Sequence, residues 1–240
     1  GHTIFHRPEE GFTLQIGNGQ EIANATGIMT INDFRSEDVS KGGQGAPLVP
    51  IGDRHLFAEF PICLNIGGIA NVSYEMNDRR IAYDICMANQ LLNYLANKLG
   101  YDYDNNGQFA KQGKVDKELF DILNDNAYYK QDAPKSLGRE FFENVQHKII
   151  DESSLSVNDL LATATEHIAH QIVKSTDNLE KSKMLVTGGG AKNNFLIERI
   201  CSLSKHEIVI PDVMITDFKE ALIFAFLGVL KMEGKINVLS

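Results

Sequence analysis

Along this chain the apolar positions change period, and each change marks an element. Phe12-Thr-Leu-Gln-Ile16 alternates apolar and polar, the two-residue period of a half-buried strand. Gly17-Asn18-Gly19-Gln20 carries an Asn-Gly pair, a strong hairpin-turn signal, so a second strand is expected at Glu21-Ile22-Ala23. Gly27-Ile-Met-Thr-Ile31 reads as a further strand that closes on Asn32-Asp33-Phe34-Arg35. Lys41 to Pro47 holds three glycines and a proline and is expected to be a loop. Two apolar runs, 62–66 and 70–74, flank Gly67-Gly68 as a hairpin, and a strand follows at 80–84.

From Met87 the spacing becomes helical. Leu91, Leu92, Leu95 and Leu99 fall on one face, with Gly100 placed to end the helix. Helices are expected at about 114–124 and 139–150. Ser156 with Asp159 forms a capping pair ahead of Leu160, Leu161, Ala164, Ile168 and Ile172. A strand at 183–187, a glycine loop, a helix at 194–203 and a strand at 206–210 make a β-loop-α-β unit. A last helix is expected from about Asp217 to Glu233. Strands first and then mixed elements point to an α/β protein with a mixed sheet.

Composition narrows the function. The 240 residues are long enough for one large or two modest cores, and the apolar fraction of 43% with 23% charged residues is that of a globular protein. A net charge of −9 argues against nucleic acid as a partner. Three isolated cysteines, with no C-x-x-C pair, indicate neither a disulfide framework nor structural zinc, which suits a cytoplasmic location. Ala221 to Leu230 is half the length of a membrane span, so no membrane partner is expected.

The candidate chemistry lies in the glycines. Ile62 to Ile66 and Lys183 to Thr187 each run straight into glycines, about 120 residues apart. Gly188-Gly189-Gly190 stands between a strand and a helix, where free N–H groups and the positive helix end suit a nucleotide phosphate. A ligand-free tight turn would need one glycine, and three are present. Gly67-Gly68 taken alone is equally consistent with an ordinary hairpin. Asp33, at a strand end beside the glycine-rich loop, suits general-base work or a metal, but a solvated loop acid has the same spacing. Glu220 could stabilise the first turn of a helix or face a ligand. Asp102 to Gly113 resembles a calcium loop but has glycine where the bidentate Glu belongs. His167 and His170 are three apart without the Glu of a zinc-protease motif.

The ordered set N-D-F-R (32–35), G-G-Q-G-A-P-L-V-P (42–50), N-I-G-G-I-A-N (65–71), V-T-G-G-G-A-K-N (186–193) and E-A-L-I-F-A-F-L (220–227) resembles the anhydro-N-acetylmuramic acid kinases of peptidoglycan recycling. The resemblance runs from residue 1 to about 230. It implies an actin-like ATPase (ribonuclease H-like) lobe with a mixed sheet and flanking helices, residues 31–216. A remnant of the other lobe would comprise 1–30 completed by the helix 217–240. It also implies ATP and Mg2+ as cofactors, and an enzyme that opens the 1,6-anhydro ring of its amino sugar with water and phosphorylates O6.

Residue by residue, Asp33 matches the general base, with a contact through Mg2+ as its only metal role. Gly67, Gly68 and Asn71 match the second phosphate loop, and Gly188, Gly189, Gly190 and Asn193 the adenosine loop. Glu220, Arg35 and His2 fall in the sugar-binding set, and a homodimer is compatible with the resemblance.

Three departures stand out. The family's Gly-Thr-Ser-Leu-Asp-Gly phosphate loop has no counterpart here, so a fragment with impaired turnover is expected. Asp84-Ile-Cys-Met-Ala-Asn89 replaces Asp-Thr-Gly-Pro-Gly-Asn, and His2 stands where the opening motif has glutamine. Two other readings remain open: a non-catalytic actin-like nucleotide-binding module, and a dinucleotide-binding oxidoreductase built on 183–210 with Glu207 and Asp212 as the ribose acids.

Overall fold

The computed structural model describes residues 2–239, and of His2, His6 and Arg139 only the backbone. Internal contacts divide the chain into two compact units, residues 1–58 with 218–240 and residues 59–217. Residues 31–58 thus group with the two ends of the chain.

The first unit opens with β1 (His2–Arg7) and β2 (Phe12–Ile16), an antiparallel pair. The strand expected at 21–23 is instead helix α1 (Gly19–Thr26). Asn18 is its N-cap, with the side-chain oxygen accepting from the N–H groups of Gln20 and Glu21. Asn-Gly suits a hairpin turn and a helix start equally well, and here the cap wins. Gly27, at φ +69, ends the helix in the left-handed conformation and donates its N–H to the Ala23 carbonyl. That geometry cannot begin a strand, so the strand expected at 27–31 is irregular chain. Helices α2 (Ser36–Ser40) and α3 (Pro50–Leu56) follow. Val39, Leu48, Ile51, Ile223 and Leu227 are buried. Gly52 lies so close to Ile223 that a β-carbon would clash. Phe12, Leu14, Ile16 and Ile22 are exposed.

In the second unit, β3 (Ile62–Ile66), β4 (Ile69–Met76) and β5 (Arg79–Met87) form an antiparallel meander. Helix α4 (Asn89–Asn97) leads to α5 (Gln108–Gln112) and α6 (Lys117–Asn124). Then come α7 (Arg139–Phe141), a π-helical turn at Phe142–Gln146 and α8 (His147–Asp151). The long α9 (Val157–Thr176) starts as its sequence dictates, with the Ser156 oxygen accepting the Asp159 N–H at 3.2 Å. Strand β6 (Lys183–Thr187), α10 (Asn194–Leu203) and β7 (Glu207–Val209) complete the β-loop-α-β unit. Helix α11 (Val213–Met232) closes the chain and runs from this unit into the residues of the first.

The five-stranded sheet runs β5-β4-β3-β6-β7, with β3, β6 and β7 parallel. Its middle strands, I-C-L-N-I and K-M-L-V-T, read as nearly continuous apolar runs because both faces are covered. Leu64, Ile66, Leu161, Ile168, Ile172 and Val186 are fully buried, each contributing roughly 1.5–3 kcal/mol of burial. The fold class is therefore the expected mixed-sheet α/β, with helices flanking the sheet. No helix among the described residues is long and apolar enough to cross a membrane.

Candidate functional site

Parallel pairing of β3 with β6, with Leu64 beside Val186 and Asn65 beside Thr187, puts the carboxyl ends of both strands at one edge of the second unit. Both glycine loops begin there, the place where open α/β sheets bind ligands. Sequence separation is thus removed by one ladder of backbone hydrogen bonds.

The glycines divide into two kinds. Gly188 has φ +86, and a β-carbon on it would stand 2.7 Å from the Ile66 carbonyl oxygen and 2.7 Å from Asn65 Oδ1. Gly190 is buried against the Ile66 side chain, with no room for a β-carbon. These two glycines serve packing. Gly67, Gly68 and Gly189 differ, because a β-carbon there meets nothing nearer than 3.5, 3.9 and 3.6 Å respectively. A β-carbon at these three would make only ordinary contacts, and Gly68 and Gly189 are exposed, so a ligand can approach the backbone there closely.

Backbone donors are distributed unevenly around this surface. The carbonyls of Gly67 and Gly68 accept the N–H groups of Ala88, Asn89 and Gln90, so the first turn of α4 is capped by the hairpin. Asn89 Nδ2 donates to the Ile66 carbonyl at 3.2 Å. Gly188 N–H donates to the Thr216 carbonyl. Gly189 and Gly190 open the 3-10 turn Gly189–Lys192, so their N–H groups have no partner inside it, the arrangement that suits an anion. Lys192 pairs with Asp217 at 2.5 Å beside this turn.

Asn71 lies opposite Asn65 in the β3–β4 ladder, one step from the Gly67 turn. Asn193 caps α10, its Oδ1 accepting the Leu196 N–H at 3.1 Å, so that oxygen is engaged within the fold. Of the altered 84–89 segment, Asn89 stands at the glycine loops and Asp84 does not. The Asp84 Oδ2 accepts the Leu137 N–H at 2.9 Å, which ties 135–137 to β5. Burial pushes this carboxyl above its ordinary range.

The candidate sugar residues belong to the first unit. Asp33 is exposed at φ +55, a conformation that costs most non-glycine residues energy, and its Oδ1 accepts the Ser36 N–H at 3.1 Å. Arg35 donates to the Gly45 carbonyl at 2.6 Å. Burial lowers the Arg35 pKa, and the nearby Glu220 charge opposes that shift. Arg35 and Glu220 are therefore electrostatic neighbours. Asp38 Oδ2 accepts the Gly45 N–H at 2.7 Å and folds the glycine-rich loop back on α2. His2 lies on β1, and its side chain is outside the described residues. Among the described residues no cluster of three His, Cys, Asp or Glu side chains could hold a metal.

Sequence reasoning missed the buried ion pair of Lys219 with Asp53, at 2.7 Å, next to Glu220 in the chain. Nothing in the local pattern Pro50-Ile-Gly-Asp53 marks this acid, because its partner is 166 positions away in sequence (219 minus 53). His167 is also explained: it is buried, 3.3 Å from Tyr129 Oη and 2.9 Å from Asn124 Oδ1.

The family model described as anhydro-N-acetylmuramic acid kinase matches residues 1–237. An anhydro-N-acetylmuramic acid kinase of Crocosphaera subtropica is 38% identical, over 98% of this chain and 69% of its own length. Those of Methylorubrum populi (36% identical) and Vibrio cholerae (38%) also align with 98% of the chain, and with 64% and 67% of their own lengths. The chain thus spans about two thirds of the relatives it matches. Among solved structures, an activator of 2-hydroxyisocaproyl-CoA dehydratase from Clostridium difficile is 17% identical with a TM-score of 0.44, covering 76% of this chain and 65% of that one.

Proposed function

The chain belongs to the anhydro-N-acetylmuramic acid kinase family, and from that premise we propose that it is the larger part of an ATP-dependent kinase that opens 1,6-anhydro-N-acetylmuramic acid with water and phosphorylates its O6. The observation that carries the reading is the pair of glycine loops, with uncrowded Gly67, Gly68 and Gly189, at the carboxyl ends of two parallel strands. Phosphates would be met there by the Gly189 and Gly190 N–H groups, and Mg2+ would accompany ATP. Asn71 and Asn193 would border the nucleotide.

On this reading Asp33 is the general base that draws a proton from the attacking water. A carboxylate held in place by a hydrogen bond to Ser36 N–H, and otherwise exposed, suits that task. The anomeric carbon gains the water oxygen, the C1–O6 bond breaks, and O6 takes the γ-phosphoryl group of ATP. Arg35 and Glu220, paired in charge, would orient sugar hydroxyls, with His2 in the same set. The remaining work is positioning and charge stabilisation, as phosphoryl transfer generally requires. A cytoplasmic setting belongs to this reading, and so does an actin-like lobe accompanied by the remnant of a second lobe, with residues 31–58 grouped with that remnant and not with the lobe expected at 31–216.

The test is isothermal titration of the 240-residue chain with Mg·ATP, with NAD as control. Saturable ATP binding without NAD binding supports the reading. NAD binding would favour the dinucleotide oxidoreductase, and binding of neither would remove the glycine loops of this chain as a working nucleotide site.

A further inference from the structure

A second cleft of about 220 Å3 opens in the 59–217 unit, away from the glycine loops. Tyr74, on its wall, pairs with Ile62 at the amino end of β3, whereas the glycines follow the carboxyl end of that strand. Four residue steps of strand, about 13 Å, separate Ile62 from Ile66.

The lining is aromatic and cationic. Tyr74 and Tyr83 meet edge to face, with ring centroids 6.3 Å apart, and Tyr129 adds a third ring. Lys135 stands over the Tyr128 ring at 4.8 Å and the Tyr83 ring at 5.6 Å. It donates to the carbonyls of Tyr128 and Gln131 at 3.1 and 3.0 Å. An ammonium group has three donors, and these two carbonyls take two of them. Lys174 lines the same cleft from α9, and Asp132 is the acid that faces the two lysines. Two cations against one carboxylate leave the cleft with an excess positive charge in an otherwise acidic chain. Burial and the neighbouring Lys174 both hold Lys135 below the usual lysine range, with Asp132 opposing.

We propose that this cleft binds a small anionic ring compound, its phosphate or carboxylate held by Lys135 and Lys174 and its ring laid against the tyrosines. An anion supplies the missing charge and relieves the repulsion between the lysines. The tyrosine faces suit the C–H face of a ring compound such as a sugar. This site is independent of the kinase reading.

The chain has no tryptophan, and three of its seven tyrosines line the cleft, so a change in tyrosine emission is a readout of binding there. The full chain is titrated with glucose 6-phosphate, with glucuronate and with neutral glucose, each without and with saturating ATP. Saturable binding of one of the anions is expected, with glucose inert. Lys174 is exposed, so Lys174→Gln should fold normally, and it should weaken that anion by about tenfold or more. Which anion binds distinguishes phosphate from carboxylate. Failure of both anions, equal binding by Lys174→Gln, binding of glucose, or competition by ATP would each overturn the proposal.

Discussion

Gly188 and Ile66 touch through backbone: a β-carbon on Gly188 would stand 2.7 Å from the Ile66 carbonyl oxygen, the same oxygen that accepts from Asn89 Nδ2. Asn89 thus ties the first glycine loop to the start of α4, and the second glycine loop packs against the same carbonyl. Gly189, next in the chain, has no such neighbour.

Gly188→Val and Gly189→Val should therefore behave differently. Gly188→Val combines a strained positive φ with a backbone clash and should cost several kcal/mol, roughly 1–3 from each source. Gly189→Val should keep its thermal midpoint within a few degrees and lose ATP affinity, because its side chain fills the approach to the loop. Melting curves read beside ATP titrations check the pair, and normal ATP affinity in Gly189→Val would remove that loop from the nucleotide site.

Asp33→Asn tests the general base without disturbing the fold. Asparagine tolerates positive φ and can still accept the Ser36 N–H. Stability and ATP binding should be unchanged, while anhydro-sugar turnover, followed as ADP release, should drop about 10²-fold or more in a protein that turns over. Undiminished turnover would exclude Asp33 from the chemistry.

Lys219 and Asp53 are nearly sealed from solvent, with 6% and 4% of their side chains exposed. Lys219→Met leaves a buried carboxylate uncompensated and should cost about 3–5 kcal/mol in urea denaturation. The double variant with Asp53→Leu should recover most of that loss. A single variant as stable as the parent would show that the pair adds nothing.

Buried His167 makes stability depend on pH. Desolvation first, and the charge of His170 second, depress it to about 3 in the folded protein. The unfolded chain binds this proton below about 6.5 and the folded one does not. Its contribution is therefore complete above pH 6.5 and is lost as pH falls from there towards 3. Between pH 6.5 and 5 the loss should be about 2 kcal/mol. Denaturation curves at pH 7 and 5 check this, and a His167→Gln variant should show a shallower fall between them.

Much of the second unit could be read directly from the residues. Strand 183–187 and helix 194–203 have the predicted bounds, because a buried apolar run and a capped amphipathic helix are specified by neighbours within a few positions. Ser156 and Asp159 likewise capped α9 where they stood in sequence. Helix α1 was misread because Asn18-Gly19 serves a turn and a cap alike. The pairing of Asn18 with Glu21, three positions on, was the signal that could have separated them.

What the residues determined on their own was local: element type, caps, glycine positions and the motif set of the family. What only the tertiary structure decided was long-range. Parallel pairing of β3 with β6 brings together loops that sequence holds about 120 residues apart, and packing against Ile66 sorts glycines that the fold requires from those that could carry a side chain without a clash. The Lys219–Asp53 pair and the lysine-tyrosine cleft arise in the same way. Periodicity and capping act over one turn or one strand, whereas hydrogen-bond ladders and burial join residues with no local signal of each other.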